Sequence, residues 1–366
     1  MVDIKILKEK NYDKISEILL NSYVPQWGSA GTPVWNPSYV EYLDKAYLGP
    51  DAIYIGAYDE KELIGVGTGY FCTWNVSEAG KIKAIGICNF GILPDYQRKG
   101  IATDMVNTLL EEGKSKGAQI AFRTCNEDLN DWKLLEKIGF EKKINNANQF
   151  ARIMGKDMAD FAADIKDYGA IMKRMVKMVS GLPDEGKGIE EGSIRDGNDG
   201  DITKCVEIMN NYSSEAELLP IWTEDEYKRN LDAFSKLEDP FNAIFKVWDI
   251  EGDIKAFAIG RTELIRYTKG DANVNILVDI GFSSDLSRKE KTSFTASLLL
   301  LLKEKYPKSF ATNGAHVHLD KKGISKAGFN DDRSNRPVYV KNLSDNLKEW
   351  FEDNWKYKTY YVPYQR

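Results

Sequence analysis

The sequence has few of the residues on which several classes of protein depend. It holds four cysteines and two histidines among 366 residues, and no two cysteines form a CxxC pair. Neither a disulfide framework nor a zinc site is therefore expected, because both need clustered cysteine or histidine. The histidines, His316 and His318, are predicted to be solvated or core side chains, and no resident metal is expected.

Long apolar runs and clustered basic charge are also missing. The apolar run at residues 298–302 is far shorter than the ~20 residues that cross a bilayer. The N-terminal residues have neither the apolar core nor the cleavage site of a secretory signal. The net charge of −6 disfavours a nucleic-acid footprint, which needs clustered Lys and Arg. We therefore expect a cytoplasmic protein with no membrane or nucleic-acid partner, and the oligomeric state stays open.

The chain is long enough for two cores. Apolar spacing predicts a helix, a hairpin, a third strand and a second helix in the first half, and residues 149–154 are expected to close the same sheet as its last strand. The corresponding ranges are 14–23 for the helix, 52–58 and 63–71 for the hairpin, 83–93 for the third strand and 100–113 for the second helix.

A long-period repeat organises the whole chain. Ile4 aligns with Ile194, and Gly139-Phe140 aligns with Gly328-Phe329, at an offset of about 190 residues. Residues 157–179 lie in helical register, with methionines expected to fill a core, and a Gly/Pro-rich loop follows them. The repeat predicts two copies of one α/β fold. The predicted units are a first domain over 1–155, a linker helix and loop over 156–189, a second domain over 190–345, and a C-terminal helix and aromatic tail over 346–366.

One strand-turn-helix segment has the features of an anion site. Its glycine lets a ligand approach the backbone, and the N–H groups of the new helix favour phosphate. The alternative is an ordinary turn with a basic pair on the surface. The segment consists of Ile92 and Leu93 at the strand end, then Gln97, Arg98, Lys99, Gly100, Ile101, Ala102 and Thr103.

This segment resembles a known family. Residues 97–102 resemble the Gln/Arg-x-x-Gly-x-Gly/Ala signature of the GNAT superfamily of N-acetyltransferases, and residues 135–140 resemble its later Tyr-Glu-Lys-Leu-Gly-Phe motif. The resemblance implies two tandem GNAT-like domains, each a central, mostly antiparallel sheet flanked by helices. It also implies that residues 97–102 hold the pyrophosphate of acetyl-CoA, with Thr103 at the next position, and that the backbone of Ile92 and Leu93 pairs with the pantetheine arm in a V-shaped opening.

Two positions depart from the family pattern. Leu135 replaces the tyrosine that serves many members as an acid, and Gly86 replaces the glutamate that serves some as a base. The catalytic residues are therefore not assigned. An acyl-carrying Cys88 would need an adjacent base, and no histidine lies in this half. Four residues remain as candidates for polar lining, namely Cys88, Asn89, Asn126 and Asn130.

The resemblance implies direct acetyl transfer to a primary amine of a small molecule or peptide. The alternative is a non-catalytic acyl-CoA-binding or scaffolding protein. In the second copy, Glu290-Lys291-Thr292 replaces Gly100-Ile101-Ala102, so that copy is expected not to bind coenzyme A. The arrangement is similar to that of the enhanced-intracellular-survival acetyltransferases, in which the end of the chain helps to build the active site. The tyrosine-rich tail is expected either to dock on the second domain or to reach the acceptor pocket of the first.

Overall fold

The computed structural model describes residues 2–27, 31–76, 80–125, 127, 131–144, 149–182, 189–215, 218–235, 243–315, 325–332 and 337–353. Five features of the sequence analysis lie outside these ranges. They are Asn126, Asn130, His316, His318 and the tail from residue 354.

The first half of the chain supplies eight strands and six helices within the described ranges. The strands are β1 (Val2–Ile6), β2 (Thr32–Pro33), β3 (Ile53–Asp59), β4 (Glu62–Val76), β5 (Gly80–Ile92), β6 (Ile120–Thr124), β7 (Glu141–Ile144) and β8 (Gln149–Ile153). The helices are α1 (Tyr12–Trp27), α2 (Pro37–Tyr42), α3 (Ile101–Ser115), α4 (Asp131–Lys137), α5 (Met158–Ile165) and α6 (Ala170–Val179).

The second half repeats this order of elements. Its described strands are β9 (Ser193–Asp196), β10 (Leu218–Pro220), β11 (Ala243–Ile250), β12 (Asp253–Tyr267), β13 (Gly270–Phe282), β14 (Ala311–Ala315), β15 (Asn330–Asp332) and β16 (Val338–Asn342). Its described helices are α7 (Ile202–Glu215), α8 (Glu224–Ser235), α9 (Arg288–Lys305) and α10 (Lys348–Asp353).

The two halves form two sheets with matching strand orders. The first sheet runs β1-β3-β4-β5-β6-β16-β7, and the second runs β9-β11-β12-β13-β14-β8-β15. In each sheet one central pair is parallel, β5 with β6 and β13 with β14, and the other pairs along the order are antiparallel. The expected fold class, two mostly antiparallel α/β units flanked by helices, is confirmed.

Each sheet contains two strands from the other half. Beside the strand orders given above, β10 pairs with β4 of the first sheet and β2 pairs with β12 of the second. The expectation that residues 149–154 close the first sheet is wrong, because β8 pairs with β14 and β15 of the second sheet. The corresponding place in the first sheet, between β6 and β7, is taken by β16. A strand pattern specifies which side chains share a face, but it does not specify which sheet edge the strand joins. The domain boundaries at residues 155 and 190 stay predictions, and strand membership crosses them.

The predicted single linker helix is two helices. Between α5 and α6, Asp167 has a φ of 58°, which interrupts the helical path, and Gly169 precedes the first residue of α6. The methionines of α6 do not fill a core, since Met175 is 54% exposed and Met178 is 79% exposed. The helical spacing in this segment was correct, but the expected burial of its apolar face was wrong for α6.

A buried polar network joins the two halves. Arg261 and Glu263, on β12, form an ion pair in which both side chains are only 1% exposed. The Arg261 guanidinium also donates to the hydroxyls of Tyr42 at 2.6 Å and Tyr47 at 3.0 Å, which belong to the first half. A buried charge is tolerated when it is paired and hydrogen-bonded, so this network requires both halves to be in contact.

Candidate acyl-CoA site

The first sheet opens between β5 and β6. Their parallel pairing extends only from Ala84 opposite Ile120 to Gly86 opposite Phe122, whereas β5 continues to Ile92. Within the described residues, the edge of β5 that faces β6 therefore lacks a strand partner from residue 87 onward. The result is a V-shaped opening at the position that the family resemblance implies.

A β-bulge lies on the wall of this opening. Val66 pairs with Gly91 and Thr68 with Cys88, so Gly67 alone faces two residues, Asn89 and Phe90. Asn89 has a φ of 47°, a left-handed conformation that asparagine tolerates better than most residues. A Cβ atom on Gly67 would lie 2.5 Å from the Phe90 ring, so the bulge requires glycine at that position.

The bulge turns one backbone amide away from the sheet. The N–H of Phe90 donates to the hydroxyl of Tyr23, on α1, over 3.2 Å. Because a strand amide normally donates to its neighbouring strand, this bond shows that the Phe90 N–H faces out of the ladder. The Phe90 N–H is thus a backbone donor in the opening, and a ligand oxygen could accept it in place of the Tyr23 hydroxyl.

The loop that leads into α3 has an uncapped helix N-terminus. Gly100 is the N-cap residue, with a φ of 86° and no side-chain hydrogen bond, and Arg98 also has a positive φ of 61°. Among the described residues, the backbone N–H groups of residues 98–102 donate to no acceptor. A Cβ atom placed on Gly100 would meet nothing within 4 Å, so space is open beside these donors. Arg98 and Lys99 are exposed next to this space, and the arrangement suits a pyrophosphate.

The other predicted cofactor residues have structural partners. The Gln97 side chain donates to the Ile92 carbonyl at 2.9 Å, and the Ser22 hydroxyl donates to the same oxygen at 2.9 Å. The Leu93 amide donates to Ile64 at 2.9 Å. Gln97 therefore ties the loop to the strand end, and a pantetheine arm that used the Ile92 carbonyl would have to replace a side-chain donor there. The role of Ile92 and Leu93 toward pantetheine stays a prediction.

The remaining loop residues are divided between the core and the rim of the site. Ile101, the first residue of α3, is buried, while Ala102 is half-buried. Thr103 is half-buried, and its backbone N–H donates to the Gly100 carbonyl at 2.9 Å. Because Ile101 faces the core and Ala102 carries only a methyl group, ligand contact at these two residues would come from the backbone.

The interior of the opening contains polar groups that sequence reasoning only partly found. Cys88 lies on β5, and burial raises the pKa of its thiol to about 12 although Arg123 opposes the shift. Burial also raises the pKa of the Cys125 thiol to about 12. Arg123 stands 3.6 Å from Asp131 and was not among the predicted site residues. Asn89 is half-buried in the bulge. A thiol with so high a pKa is a poor nucleophile, so Cys88 suits lining better than acyl transfer.

The two departures from the family pattern have structural explanations. Leu135 is 2% exposed and belongs to the core cluster beneath α3, together with Tyr339 of β16. At Gly86, a Cβ atom would lie 2.4 Å from the ring of Tyr70, so no side chain fits there in this structure. Neither position can supply an acid or a base.

The second sheet has the same bulge but a different helix start. Ile259 pairs with Asp279 and Gly260 with Leu277, which leaves Val278 as the extra residue. The N-cap of α9 is Ser287, whose hydroxyl accepts from the Glu290 N–H at 3.3 Å. The Glu290 carboxylate in turn accepts from the Ser287 N–H at 2.7 Å. The place of an anion at this helix is therefore taken by the protein's own carboxylate.

A cleft lies between the two halves beside the end of α1. Its volume is about 710 Å³, and the doubly hydrogen-bonded Arg266–Asp271 pair forms part of its wall, with distances of 2.7 and 2.8 Å. Its first-half lining follows Tyr23 directly along α1. Its lining residues are Val24, Pro25, Gln26, Arg266, Tyr267, Thr268, Gly270 and Asp271.

Two further structural features bear on the class of protein. In the part of the chain that the structure describes, no group of three or more His, Cys, Asp or Glu side chains is arranged to hold a metal ion. Within the same ranges, no helix combines the length and apolar character that crossing a bilayer requires.

Comparison with known proteins agrees with this geometry. Residues 13–140 match the family model described as "Acetyltransferase (GNAT) family". No curated protein matches the chain in sequence. Residues 13–140, which include the bulge, the open loop and the uncapped start of α3, therefore match the GNAT acetyltransferase family, and the two sheets fit a tandem arrangement.

Solved structures resemble the chain over nearly its whole length. Saccharomyces cerevisiae N-myristoyltransferase with bound myristoyl-CoA has a TM-score of 0.71 at 13% identity, over 93% of this chain and 82% of that one. A probable N-acyltransferase from Enterococcus faecalis has a TM-score of 0.57 at 10% identity, over 94% and 73%. A GCN5-related N-acetyltransferase from Anabaena variabilis has a TM-score of 0.54 at 11% identity, over 93% and 73%. At these identities the likeness shows the fold alone.

Proposed function

We propose that this protein is an N-acetyltransferase that binds acetyl-CoA in its first domain and transfers the acetyl group directly to a primary amine. The observation that carries the proposal is the uncapped N-terminus of α3 beside the opening between β5 and β6. The amine nitrogen bonds to the carbonyl carbon, the carbon–sulfur bond breaks, coenzyme A leaves as a thiolate, and the amine loses a proton to a base. A cytoplasmic setting and a second domain that does not bind coenzyme A belong to the same proposal.

The inner end of the opening favours a short acyl group. On the α1 face, the Phe122 ring lies 5.9 Å from the Tyr70 ring and 4.4 Å from the Trp74 ring, between centroids. All three side chains are at most 3% exposed. On the α3 face, Ile85 and Leu109 are fully buried. A long acyl chain would have to displace these close-packed side chains, whereas an acetyl group needs little room, so acetyl-CoA is proposed although one structural neighbour is a myristoyltransferase.

The cleft beside α1 is the proposed entrance for the acceptor. Its first-half lining starts at Val24, the residue after Tyr23 on α1, and the rest of its lining comes from the second half. Its volume suits a small molecule or the end of a peptide. An ammonium group has no lone pair, so the acceptor amine must arrive neutral or lose a proton to a base. That base is proposed to be a water molecule or a carboxylate from outside β5, since Gly86 and Cys88 do not provide one.

The test combines binding and turnover. Isothermal titration is expected to give one equivalent of acetyl-CoA bound per chain, with weaker binding of longer acyl-CoA thioesters. Release of free thiol from acetyl-CoA is then measured over a panel of amino acids, polyamines, aminoglycosides and peptides. Binding without thiol release for any amine would favour the non-catalytic alternative, and absence of binding would reject the proposed site.

A further inference from the structure

Tyr23 holds its hydroxyl at a particular place in the opening. Its ring lies 5.4 Å from that of Trp35 and 6.3 Å from that of Trp27, between centroids, so it lies against two aromatic neighbours. Its hydroxyl oxygen accepts the N–H of Phe90 at 3.2 Å. α1 is also tied to β5 one residue earlier, where Ser22 donates to the Ile92 carbonyl at 2.9 Å. The hydroxyl is therefore presented to the bulge by packing on both sides.

The proposed binding mode brings the thioester to this place. A pyrophosphate at residues 97–102 and a pantetheine arm along the end of β5 direct the acyl group further into the opening. The next backbone donor that faces into the opening is the N–H of Phe90, which the bulge turns out of the ladder. A carbonyl oxygen that accepts this N–H would take the position that the Tyr23 hydroxyl oxygen occupies in the free protein.

We propose that Tyr23 is a catalytic residue whose hydroxyl donates a hydrogen bond to the thioester oxygen. This bond would be the second to that oxygen, beside the one from the Phe90 N–H. This inference rests on the proposed function. In the free protein the hydroxyl accepts from Phe90. When the substrate oxygen takes that place, the Tyr23 side chain turns aside, and its O–H then points toward the substrate oxygen. As the amine attacks, negative charge collects on the oxygen and both donors stabilise it; no proton is transferred in this step.

The surroundings of Tyr23 suit a donor. Burial raises the pKa of its hydroxyl although Arg123 and the Phe90 N–H oppose the shift, so the O–H stays intact at neutral pH. A second tyrosine near the site, Tyr339, is already committed, since its hydroxyl donates to Glu127 at 3.1 Å. Leu135 cannot donate at all. Tyr23 thus supplies a hydroxyl in a domain whose usual tyrosine position is apolar.

The experiment uses acetyl-CoA labelled with ¹³C at the carbonyl and needs no acceptor. The infrared carbonyl stretch of the bound thioester is compared in wild type, Tyr23→Phe and Tyr12→Phe. Tyr12 lies at the other end of α1, where its hydroxyl donates to Asp44 at 2.7 Å, and serves as the matched control. We expect the carbonyl stretch to move to lower wavenumber when acetyl-CoA binds wild type or Tyr12→Phe. In Tyr23→Phe the stretch should lie closer to that of free acetyl-CoA. The affinity of Tyr23→Phe for acetyl-CoA should change less than about threefold, since a single hydrogen bond contributes little net binding energy.

Turnover gives a second readout once an amine is found. Tyr23→Phe is expected to lower kcat by about 10²-fold with little change in KM for acetyl-CoA, the loss typical of one oxyanion donor. An unchanged carbonyl stretch in Tyr23→Phe would overturn the inference while leaving the proposed function intact. Failure of wild type to bind acetyl-CoA would instead reject the proposed function.

A measurement on wild type alone covers the case in which Tyr23→Phe does not fold. The amide NMR signal of Phe90 should move more on addition of acetyl-CoA than on addition of coenzyme A, because only the thioester has a carbonyl oxygen to replace the Tyr23 hydroxyl. Equal shifts would overturn the inference.

Discussion

The two long helices that follow the central hairpins begin in opposite ways. α3 starts at Gly100 in a left-handed conformation, with no side-chain cap and with open space beside it. α9 starts at Ser287, which forms a reciprocal capping box with Glu290. Both helices follow a strand with a one-residue bulge, so the surrounding fold is shared. The difference between an open and a capped helix start lies in a few residues.

The connections that precede the two helices differ in length. Residues 93–100 separate β5 from α3, whereas residues 283–287 separate β13 from α9, a loop that is three residues shorter. The shorter loop brings a serine to the N-cap and a carboxylate to its N–H groups. Because an uncapped helix N-terminus is a cost unless something else satisfies its donors, the open start of α3 favours a bound anion and the closed start of α9 does not.

The largest expected effect comes from placing a carboxylate at the uncapped start of α3. Gly100→Glu should weaken acetyl-CoA binding at least about 100-fold, roughly 2.7 kcal/mol, because a carboxylate would face the pyrophosphate and the backbone needs a positive φ. Calorimetric titration measures the loss. Gly117→Glu is the matched control, since Gly117 has a φ of 87°, open space around it and a place at the other end of α3. If Gly100→Glu bound acetyl-CoA with wild-type affinity, the proposed pyrophosphate site at residues 97–102 would be rejected.

A second, smaller effect tests whether the second half completes the site of the first. The tail was expected either to dock on the second domain or to reach the acceptor pocket, and it lies outside the described residues. If it reaches the pocket, deletion of residues after Lys356 should lower turnover at least about tenfold, roughly 1.4 kcal/mol of barrier, with acetyl-CoA affinity kept. Thiol release and calorimetry on the folded truncation measure both quantities. Unchanged turnover would leave only the docking interpretation.

The reverse substitution should not create a second site. Glu290→Gly is expected to leave the stoichiometry at one acetyl-CoA per chain, because the shorter loop and the Ser287 cap remain. It should cost about 1 kcal/mol of stability through loss of the capping box. Glu290→Gln, which can still accept from the Ser287 N–H, should lose less. Calorimetric stoichiometry and thermal unfolding are the measurements, and two equivalents bound in Glu290→Gly would contradict the division between the halves.

The smallest expected effect is the pH dependence of that cap. Hydrogen bonds from Ser287 lower the pKa of the Glu290 carboxyl below its ordinary value of 4.5. Its contribution to stability is therefore fully present above pH 4.5 and lost as the pH falls through the lower, folded-state pKa. The stability difference between wild type and Glu290→Gln should shrink over that acidic range. A difference that stays constant with pH would show that the charge of Glu290 contributes nothing.

Much of the first domain could be predicted from the sequence alone. The apolar period of residues 101–110 predicted α3, and Gly100 within residues 97–102 predicted the open helix start, because a left-handed N-cap position is suited to glycine. The repeat at an offset of about 190 residues predicted two copies of one fold, which the matching strand orders confirm. These features depend on neighbouring residues, so local patterns are sufficient to reveal them.

Only the tertiary structure decided which groups meet across the chain. The exchange of β8 and β16 between the sheets depends on which edge each strand reaches, and no local pattern records that choice. Tyr23 meets Phe90 because α1 packs across β5, and Arg261 meets Tyr42 because the halves are in contact. The sequence by itself thus determined the repeated fold and the open start of α3, while long-range packing determined the bulge donor, the interior of the opening and the joining of the two halves.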